Sequence, residues 1–227
     1  MKNICGVFLL FLPVIAFSQQ DSTKSANNKQ PKKPSHSLGI GIKAGLNFTN
    51  VTSASNINNG NETGYQVGLF LDPSSKSILS SRTELVYSHQ GYNFATGQTT
   101  GKVYLDYIML AQLMSINITH FFQIQIGTQI AYLINAKVDS NMTSTGYAPA
   151  DALLSYYNRV DFGFSGGVEV RPFMGIIVGA RYNLSLTNLY NIPSSYNPQQ
   201  PPPSFIPSTG DVNFKNNLVQ IYAGWRF

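Results

Sequence analysis

The sequence predicts an all-β protein: an eight-stranded antiparallel up-and-down β-barrel that crosses a membrane. Three observations carry this. Eight stretches alternate apolar and polar residues with the period of two that a strand imposes. The connections between them are alternately long and short, the pattern of a transmembrane barrel with short periplasmic turns and long external loops. The chain ends on one of the alternating stretches, Asn216 to Phe227, whose apolar face carries Val219, Ile221, Ala223, Trp225 and Phe227 while Leu218, Gln220, Tyr222, Gly224 and Arg226 form the other.

Three segments are expected. Residues 1–18 have the form of a signal peptide, with Lys2, an apolar run from Gly6 to Ala16, and Ala16-Phe17-Ser18 as the cleavage region. That run is shorter than the roughly 20 residues of a membrane-spanning helix. Residues 19–36 form a polar tail with Lys24, Lys29, Lys32, Lys33 and two prolines, expected to be a disordered periplasmic spacer. The barrel occupies 37–227. Cys5, the single cysteine, lies within the leader region, which excludes disulfides, thiolate metal sites and a cysteine nucleophile from the remainder.

The net charge of +5 does not indicate nucleic acid. Of 15 Lys/Arg, Lys2 and the four tail lysines precede Ser37, as does Asp21 of 10 Asp/Glu, which leaves ten against nine in the barrel. Charged residues are only 11 % and aromatics 12 %, sparse in charge and rich in rings.

Taken in order, the first strand sets Leu38, Ile40, Ile42, Ala44, Leu46 and Phe48 against Gly39, Gly41, Lys43, Gly45 and Asn47. A polar loop, Thr49 to Thr63, follows. The second has Tyr65, Val67, Leu69 and Leu71 on one face and ends in the turn Asp72-Pro73-Ser74-Ser75. The third opposes Leu79, Ser81, Thr83, Leu85 and Tyr87 to Arg82, Glu84, Val86, Ser88 and Gln90, with a polar loop from Ala95 to Gly101. In the fourth, Lys102 to Met114, the run Ile108-Met109-Leu110 is apolar on both faces. Val103, Leu105, Tyr107, Met109 and Ala111 are assigned outward, Tyr104, Asp106 and Gln112 inward.

The fifth strand directs Phe122, Ile124, Ile126, Thr128, Ile130 and Tyr132 away from Gln123, Gln125, Gly127, Gln129 and Ala131; an irregular piece, Val138 to Tyr157, follows. In the sixth, Val160, Phe162, Phe164, Val168 and Val170 oppose Asp161, Gly163, Ser165, Gly167 and Glu169, and Arg171-Pro172 turns the chain. The seventh sets Ile176, Val178, Ala180, Tyr182 and Leu184 against Gly179, Arg181, Asn183 and Ser185. The loop Asn188 to Asn213, with its Pro201-Pro202-Pro203 run, leads to the closing strand.

The outward aromatics fall near strand ends. Phe48, Tyr65, Tyr87, Tyr132, Phe162 and Tyr182 would form the outer girdle, and Phe122, Trp225 and Phe227 the periplasmic one. In hydrocarbon every backbone donor and acceptor must be paired, so the first strand must pair with the last.

The inward set holds Lys43, Arg82, Glu84, Asp106, Asp161, Glu169, Arg171 and Arg181, four of each sign. Eight strands enclose a space that side chains nearly fill. These charges should therefore pair as a polar plug; a narrow solute path is the rival. No catalytic constellation emerges: His36 is in the tail, His120 in a turn, and Ser88 and His89 are adjacent and so point to opposite faces. No metal cluster and no cofactor site are expected. Gly97 to Lys102 resembles a phosphate loop but is one residue short and is followed by Val103. The segment Tyr147 to Tyr157 and the residues Tyr196, Phe205 and Ile206 suit a partner-binding loop or ordinary loop packing equally.

Gly41-Ile42-Lys43-Ala44-Gly45-Leu46-Asn47, Gly64-Tyr65-Gln66-Val67-Gly68, Glu84-Leu85-Val86-Tyr87-Ser88, Ala180-Arg181-Tyr182-Asn183-Leu184 and the terminal strand together resemble the PorT-like outer-membrane β-barrel family over Ser37 to Phe227. Met109 after Ile108 departs from that family's usual proline. The resemblance implies an outer-membrane barrel of about eight strands, with a link to protein secretion through the family's namesake type.

The function expected is that of a non-enzymatic integral outer-membrane barrel, a structural or interaction component acting through its external loops or tail. A small ion or solute channel is the alternative, and a soluble secreted ligand-binding barrel a further one. Expected partners are outer-membrane lipid, the barrel-assembly machinery at the C-terminal strand, and a protein at the loops or basic tail.

Overall fold

The structure, a computed structural model, describes residues 38–52, 62–73, 78–96, 99–140, 154, 157–190 and 215–227. The leader at 1–18, the tail at 19–36, Ser74-Ser75, Tyr147 and the loop residues Tyr196 to Ile206 lie outside the described residues.

Eight strands follow in order: β1 (Leu38–Thr52), β2 (Glu62–Pro73), β3 (Leu79–Thr96), β4 (Thr99–Asn117), β5 (Phe122–Ser140), β6 (Val160–Val170), β7 (Ile176–Ser185) and β8 (Lys215–Arg226). Each pairs antiparallel with its sequence neighbours, and β1 pairs with β8 from Gly41↔Arg226 to Thr52↔Lys215, so the barrel closes without an edge. Closure leaves no row of unpaired backbone groups, the condition that hydrocarbon sets.

The apolar faces point outward. Leu69, Ile126, Phe164 and Ile221 are each at least half exposed, whereas the alternate residues of the same strands are buried inside. This arrangement is the reverse of a soluble ligand-binding barrel, whose apolar set would line the interior, and it removes that alternative. All nine girdle aromatics lie on the outer face, with Trp225 paired to Ile42 and Ile176 near the short turns and Tyr182 paired to Val219 towards the long loops.

Expectations of two kinds are corrected, the bounds of loops and the faces of one strand; among the former, the loop read at Thr49 to Thr63 gives up Thr49–Thr52 to β1 and Glu62-Thr63 to β2. The polar loop from Ala95 to Gly101 is instead the top of a long hairpin, in which β3 reaches Thr96 and β4 starts at Thr99 with Thr96 opposite Thr99. Long loops therefore follow β1, β5 and β7 but not β3. Val138 likewise belongs to β5 and not to an irregular piece.

The second correction concerns β4, whose faces are inverted. Val103, Leu105, Tyr107, Met109 and Ala111 are buried inside, while Ile108, Leu110 and Met114 face out with Tyr104, Asp106 and Gln112. The physical reason is register. Residues paired across an antiparallel ladder share a face, and the inward Glu84 pairs with Ala111 while the outward Leu85 pairs with Leu110. A strand apolar on both sides takes its orientation from its neighbour. Asp106 consequently stands outside the barrel, not in the lumen.

At the short turn between β6 and β7, Met174 and Gly175 both take left-handed φ values, 48° and 83°, and Ile176 N–H donates to Phe173 O at 3.0 Å. Two consecutive positive φ angles match the strand twist of a tight hairpin. On β5 a bulge lies beside Asp106 and Tyr107: Asp106 pairs with Asn135 but Tyr107 with Leu133, which leaves Ile134 as the extra residue.

Candidate functional site: a charged lumen under an aromatic plug

Inward alternation on β1, β2, β3, β6 and β7 brings six charged side chains into the barrel towards the short-turn end. Lys43, Asp72, Arg82, Glu84, Glu169 and Arg181 are all buried, three cations against three carboxylates. Glu84 accepts from Lys43 at 2.6 Å and from both Arg181 terminal nitrogens at 2.6 and 2.9 Å. Arg82 donates two bonds to Glu169, at 2.5 and 2.8 Å, and one to Asp72 at 3.0 Å. Such bidentate, charge-assisted pairs are the strongest hydrogen bonds a protein makes. Neutral donors take up remaining lone pairs: Gln123 and Tyr222 donate to Glu169 at 2.8 and 3.1 Å. Lys43 lies 4.5 Å over the Tyr222 ring, and the Arg82 guanidinium 4.6 Å over Phe70.

Inward glycines give these groups their room. A Cβ on Gly41 would fall 2.0 Å from the Phe70 ring, and one on Gly179 would fall 2.5 Å from the Tyr222 ring. At the mouth, the half-exposed Arg171 donates to Asp72 and, at 3.2 Å, to Glu169, while Arg226 reaches the Asp72 carbonyl at 3.1 Å.

Above the charges lies a layer of amides and hydroxyls. Asn47 donates to Ser88 at 2.9 Å, Gln220 to Gln66 at 2.9 Å, Asn216 to Gln90 at 2.7 Å, and Ser165 to Asn183 at 2.6 Å. Asp161 sits at this level and accepts from Ser185 at 2.6 Å. The cavity there, lined by Gln90, Tyr107, Met109, Gln129 and Asp161 among others, holds about 10 Å³, room for roughly one water.

The long-loop end of the lumen is apolar. The inner residues of the β3–β4–β5 extension, among them Phe94, Val103, Leu105, Leu133 and Ala136, form one cluster with Leu154 and Tyr157 from the connection after β5 and Leu189 and Tyr190 from that after β7. Tyr190 donates to the Tyr92 hydroxyl at 2.7 Å, and Tyr92 and Tyr157 hydroxyls lie 2.8 Å apart. Burial lifts the Tyr157 and Tyr190 phenols above their ordinary range and outweighs the hydrogen bonds to Tyr92, which act in the opposite direction. The two connections are stitched by the Tyr157↔Tyr190 bridge and by Asn158 N–H donating to Leu189 O at 2.9 Å. Leu154 and Tyr157 thus serve loop packing.

Residues 17–191 match the family model of the outer membrane protein beta-barrel domain, more than half of the chain. The chain belongs to that family. This outer-membrane barrel is similar in fold to Neisserial surface protein A, with 12% identity over 83% of this chain and 97% of that chain at a TM-score of 0.51. It is also similar to Ail, the attachment invasion locus protein of Yersinia pestis, with 10% identity, 84% and 99% coverage and a TM-score of 0.46. For the E. coli outer membrane protein W the values are 13%, 85% and 100%, and 0.42. No match among curated proteins was found. The short-turn end of this outer-membrane barrel is accordingly periplasmic and its long-loop end extracellular.

Of the eight lumen residues read from the sequence, Lys43, Arg82, Glu84, Glu169, Arg171 and Arg181 meet in one network. Asp161 is inside but apart, and Asp106 is outside. Asp72, Arg226 and Tyr222 belong to the network and were not singled out. The signal was available, because Asp72 continues the inward set Gln66, Gly68, Phe70 of β2, and Arg226 that of β8. Among the described residues, no group of three His, Cys, Asp or Glu could hold a metal ion.

Proposed function

We propose that this outer-membrane barrel is a non-conducting, non-enzymatic scaffold that acts through contacts made outside its lumen, at its extracellular rim or through its tail. One observation carries the reading: among the described residues the lumen is filled by a neutral set of buried charges, an amide layer holding a cavity of about one water, and an aromatic plug. Ions crossing it would have to break the buried ion pairs in which Lys43, Arg82 and Arg181 share Asp72, Glu84 and Glu169. The protein extracted from outer membranes and inserted in a planar bilayer should give no steady openings; ion-selective openings that change in Arg82→Gln or Glu84→Gln would refute this.

The channel reading keeps one supporting observation. Thr49 Oγ1, Gln66 Nε2, Gln123 Oε1 and Asn183 Nδ2 are buried with no hydrogen-bond partner among the described residues, which suits waters threading the middle layer. The same bilayer experiment separates the two. A finer assignment, to the PorT-like type and its link with protein secretion, rests on the order of the five short motifs alone. A complex with a secretion component that survives mild detergent would support it, and a chain recovered alone under those conditions would count against it.

A further inference from the structure

The outer wall carries a polar patch where lipid-facing residues would be expected. On the outer face His89 of β3 pairs with Asp106 of β4, which pairs with Asn135 of β5. Tyr65 of β2 stands on the other side of His89. His89 Nδ1 lies 2.5 Å from Asp106 Oδ1, and Asn135 donates to Asp106 Oδ2 at 2.8 Å. An ionised carboxylate only accepts, so Nδ1 is the donor and the second ring nitrogen, Nε2, is left for an outside partner. The imidazole is held between the rings of Tyr65 and Tyr104, with centroids 5.0 and 5.5 Å away.

The depth of this row follows from strand geometry. A strand tilted about 40° rises roughly 2.6 Å per residue along the barrel axis, so an apolar band about 25 Å tall needs about ten residues. Ten residues from Leu79, at the periplasmic start of β3, reach Ser88. The row of His89, Asp106 and Asn135 is therefore the first above the hydrocarbon of the outer leaflet, at headgroup level. One row higher, Lys137 pairs with Tyr104. Lys137 is exposed and forms no ion pair among the described residues, unlike Lys102, which bonds Glu62 at 3.1 Å.

The bulge at Ile134 is the second, independent observation. Were the strand to alternate regularly through Ile134 instead of bulging there, Asn135 and Lys137 would face the lumen, since a one-residue shift swaps the faces of a strand. Bulges are local devices that re-aim side chains. This one turns an amide towards Asp106 and a cation towards the headgroup layer.

We propose that His89 and Lys137, with His89 positioned by Asp106 and Asn135, bind the phosphate of an outer-leaflet lipid headgroup. The chemistry is one free imidazole nitrogen and one free ammonium. The only carboxylate in the row already accepts from His89 on one oxygen and from Asn135 on the other. The patch lies at a depth where the anions available in a membrane are headgroup anions. Phosphate, with several acceptor oxygens, can accept at once from the Lys137 ammonium and from Nε2–H of a doubly protonated His89, the form in which both ring nitrogens donate.

The test is the selectivity of spin-labelled lipids for the full-length protein reconstituted in phosphatidylcholine vesicles, read as the motionally restricted fraction of labelled phosphatidic acid against labelled phosphatidylcholine. The wild type should prefer phosphatidic acid. His89→Gln and Lys137→Gln should each lower the preference about threefold, as for half-exposed charge contacts, and the double variant should bring it near unity. Asp106→Asn should lower it through the loss of positioning, and Arg159→Gln, an exposed cation elsewhere on the rim, should leave it unchanged. The variants lie on the outer face, and a heat-modifiable band on a gel confirms that each is folded. An undiminished preference in the folded double variant, or an equal loss in Arg159→Gln, would overturn the proposal. Abolition by millimolar inorganic phosphate would assign the site to the free ion, and release of fatty acid or phosphate that depends on His89 would make it catalytic; either result overturns lipid binding.

Discussion

Replacing Glu84 by Gln removes the charge on which Lys43 and Arg181 both converge, at 2.6 Å each, with Arg82 at 3.6 Å. The three buried cations would then face two carboxylates, and the new amide would point donors at cations. Removing one partner of a buried pair costs about 3–5 kcal/mol, because the remaining charge is left uncompensated in a medium that cannot solvate it. Since two cations lose their main partner, the middle of that range or above is expected, about 4 kcal/mol, roughly a thousandfold in the folded-to-unfolded ratio. Lys43→Met should cost less, about 1–2 kcal/mol, because Glu84 keeps its bidentate bond to Arg181. The double variant should cost less than the two singles summed, since each removes part of the same network. Urea unfolding in phospholipid vesicles, followed by emission of Trp225, the only tryptophan, measures all three. A Glu84→Gln protein within about 1 kcal/mol of wild type, or no more damaged than Lys43→Met, would refute a lumen held by mutual neutralisation.

Other outcomes follow from particular contacts. Tyr92→Phe removes the hydroxyl that Tyr157 and Tyr190 both bond and should lower stability by about 1–3 kcal/mol, more than Tyr157→Phe or Tyr190→Phe does. The raised phenols of Tyr157 and Tyr190 bind their protons more tightly folded than unfolded. Their contribution to stability is complete below about pH 10 and is lost as pH rises further, visible as a falling urea midpoint in alkaline buffer. Met174→Asn, at a φ of 48° before Gly175, should stabilise by about 0.5–1 kcal/mol, since Asn adopts that conformation at lower cost. In a Cys5→Ser background, Asp106→Cys should react with a membrane-impermeant thiol reagent and Leu105→Cys should not; the opposite pattern would restore the inward placement of Asp106.

The sequence was most legible where only one face of a strand is apolar. In β1, β2, β7 and β8 the residues from Gly39 onward to which alternation gave a face lie on that face, because an apolar face suits lipid and a charge there would be expensive. β4 was illegible for the converse reason. Ile108, Met109 and Leu110 satisfy lipid and an apolar plug equally, and the plug exists only once Leu154, Tyr157 and Leu189 have folded over the extension. The loop read at Ala95 to Gly101 failed because Thr, Gly and Gln suit a hairpin that stands in water as well as they suit a loop. Asp72 was passed over because its neighbour Pro73 and the serines beyond signalled a turn, although its parity already placed it inside.

By itself the chain determined the number of strands, their directions, closure of the first on the last and the inward charges of β1, β3, β6 and β7, because period-two patterning and the need to pair every backbone group in lipid are properties of sequence and solvent alone. The tertiary structure decided which carboxylate meets which guanidinium, which face of β4 looks at lipid, and that His89, Asp106 and Asn135 stand together. Those depend on register and on one bulged residue. A shift of a single position across a ladder leaves the composition untouched and exchanges the inside with the outside.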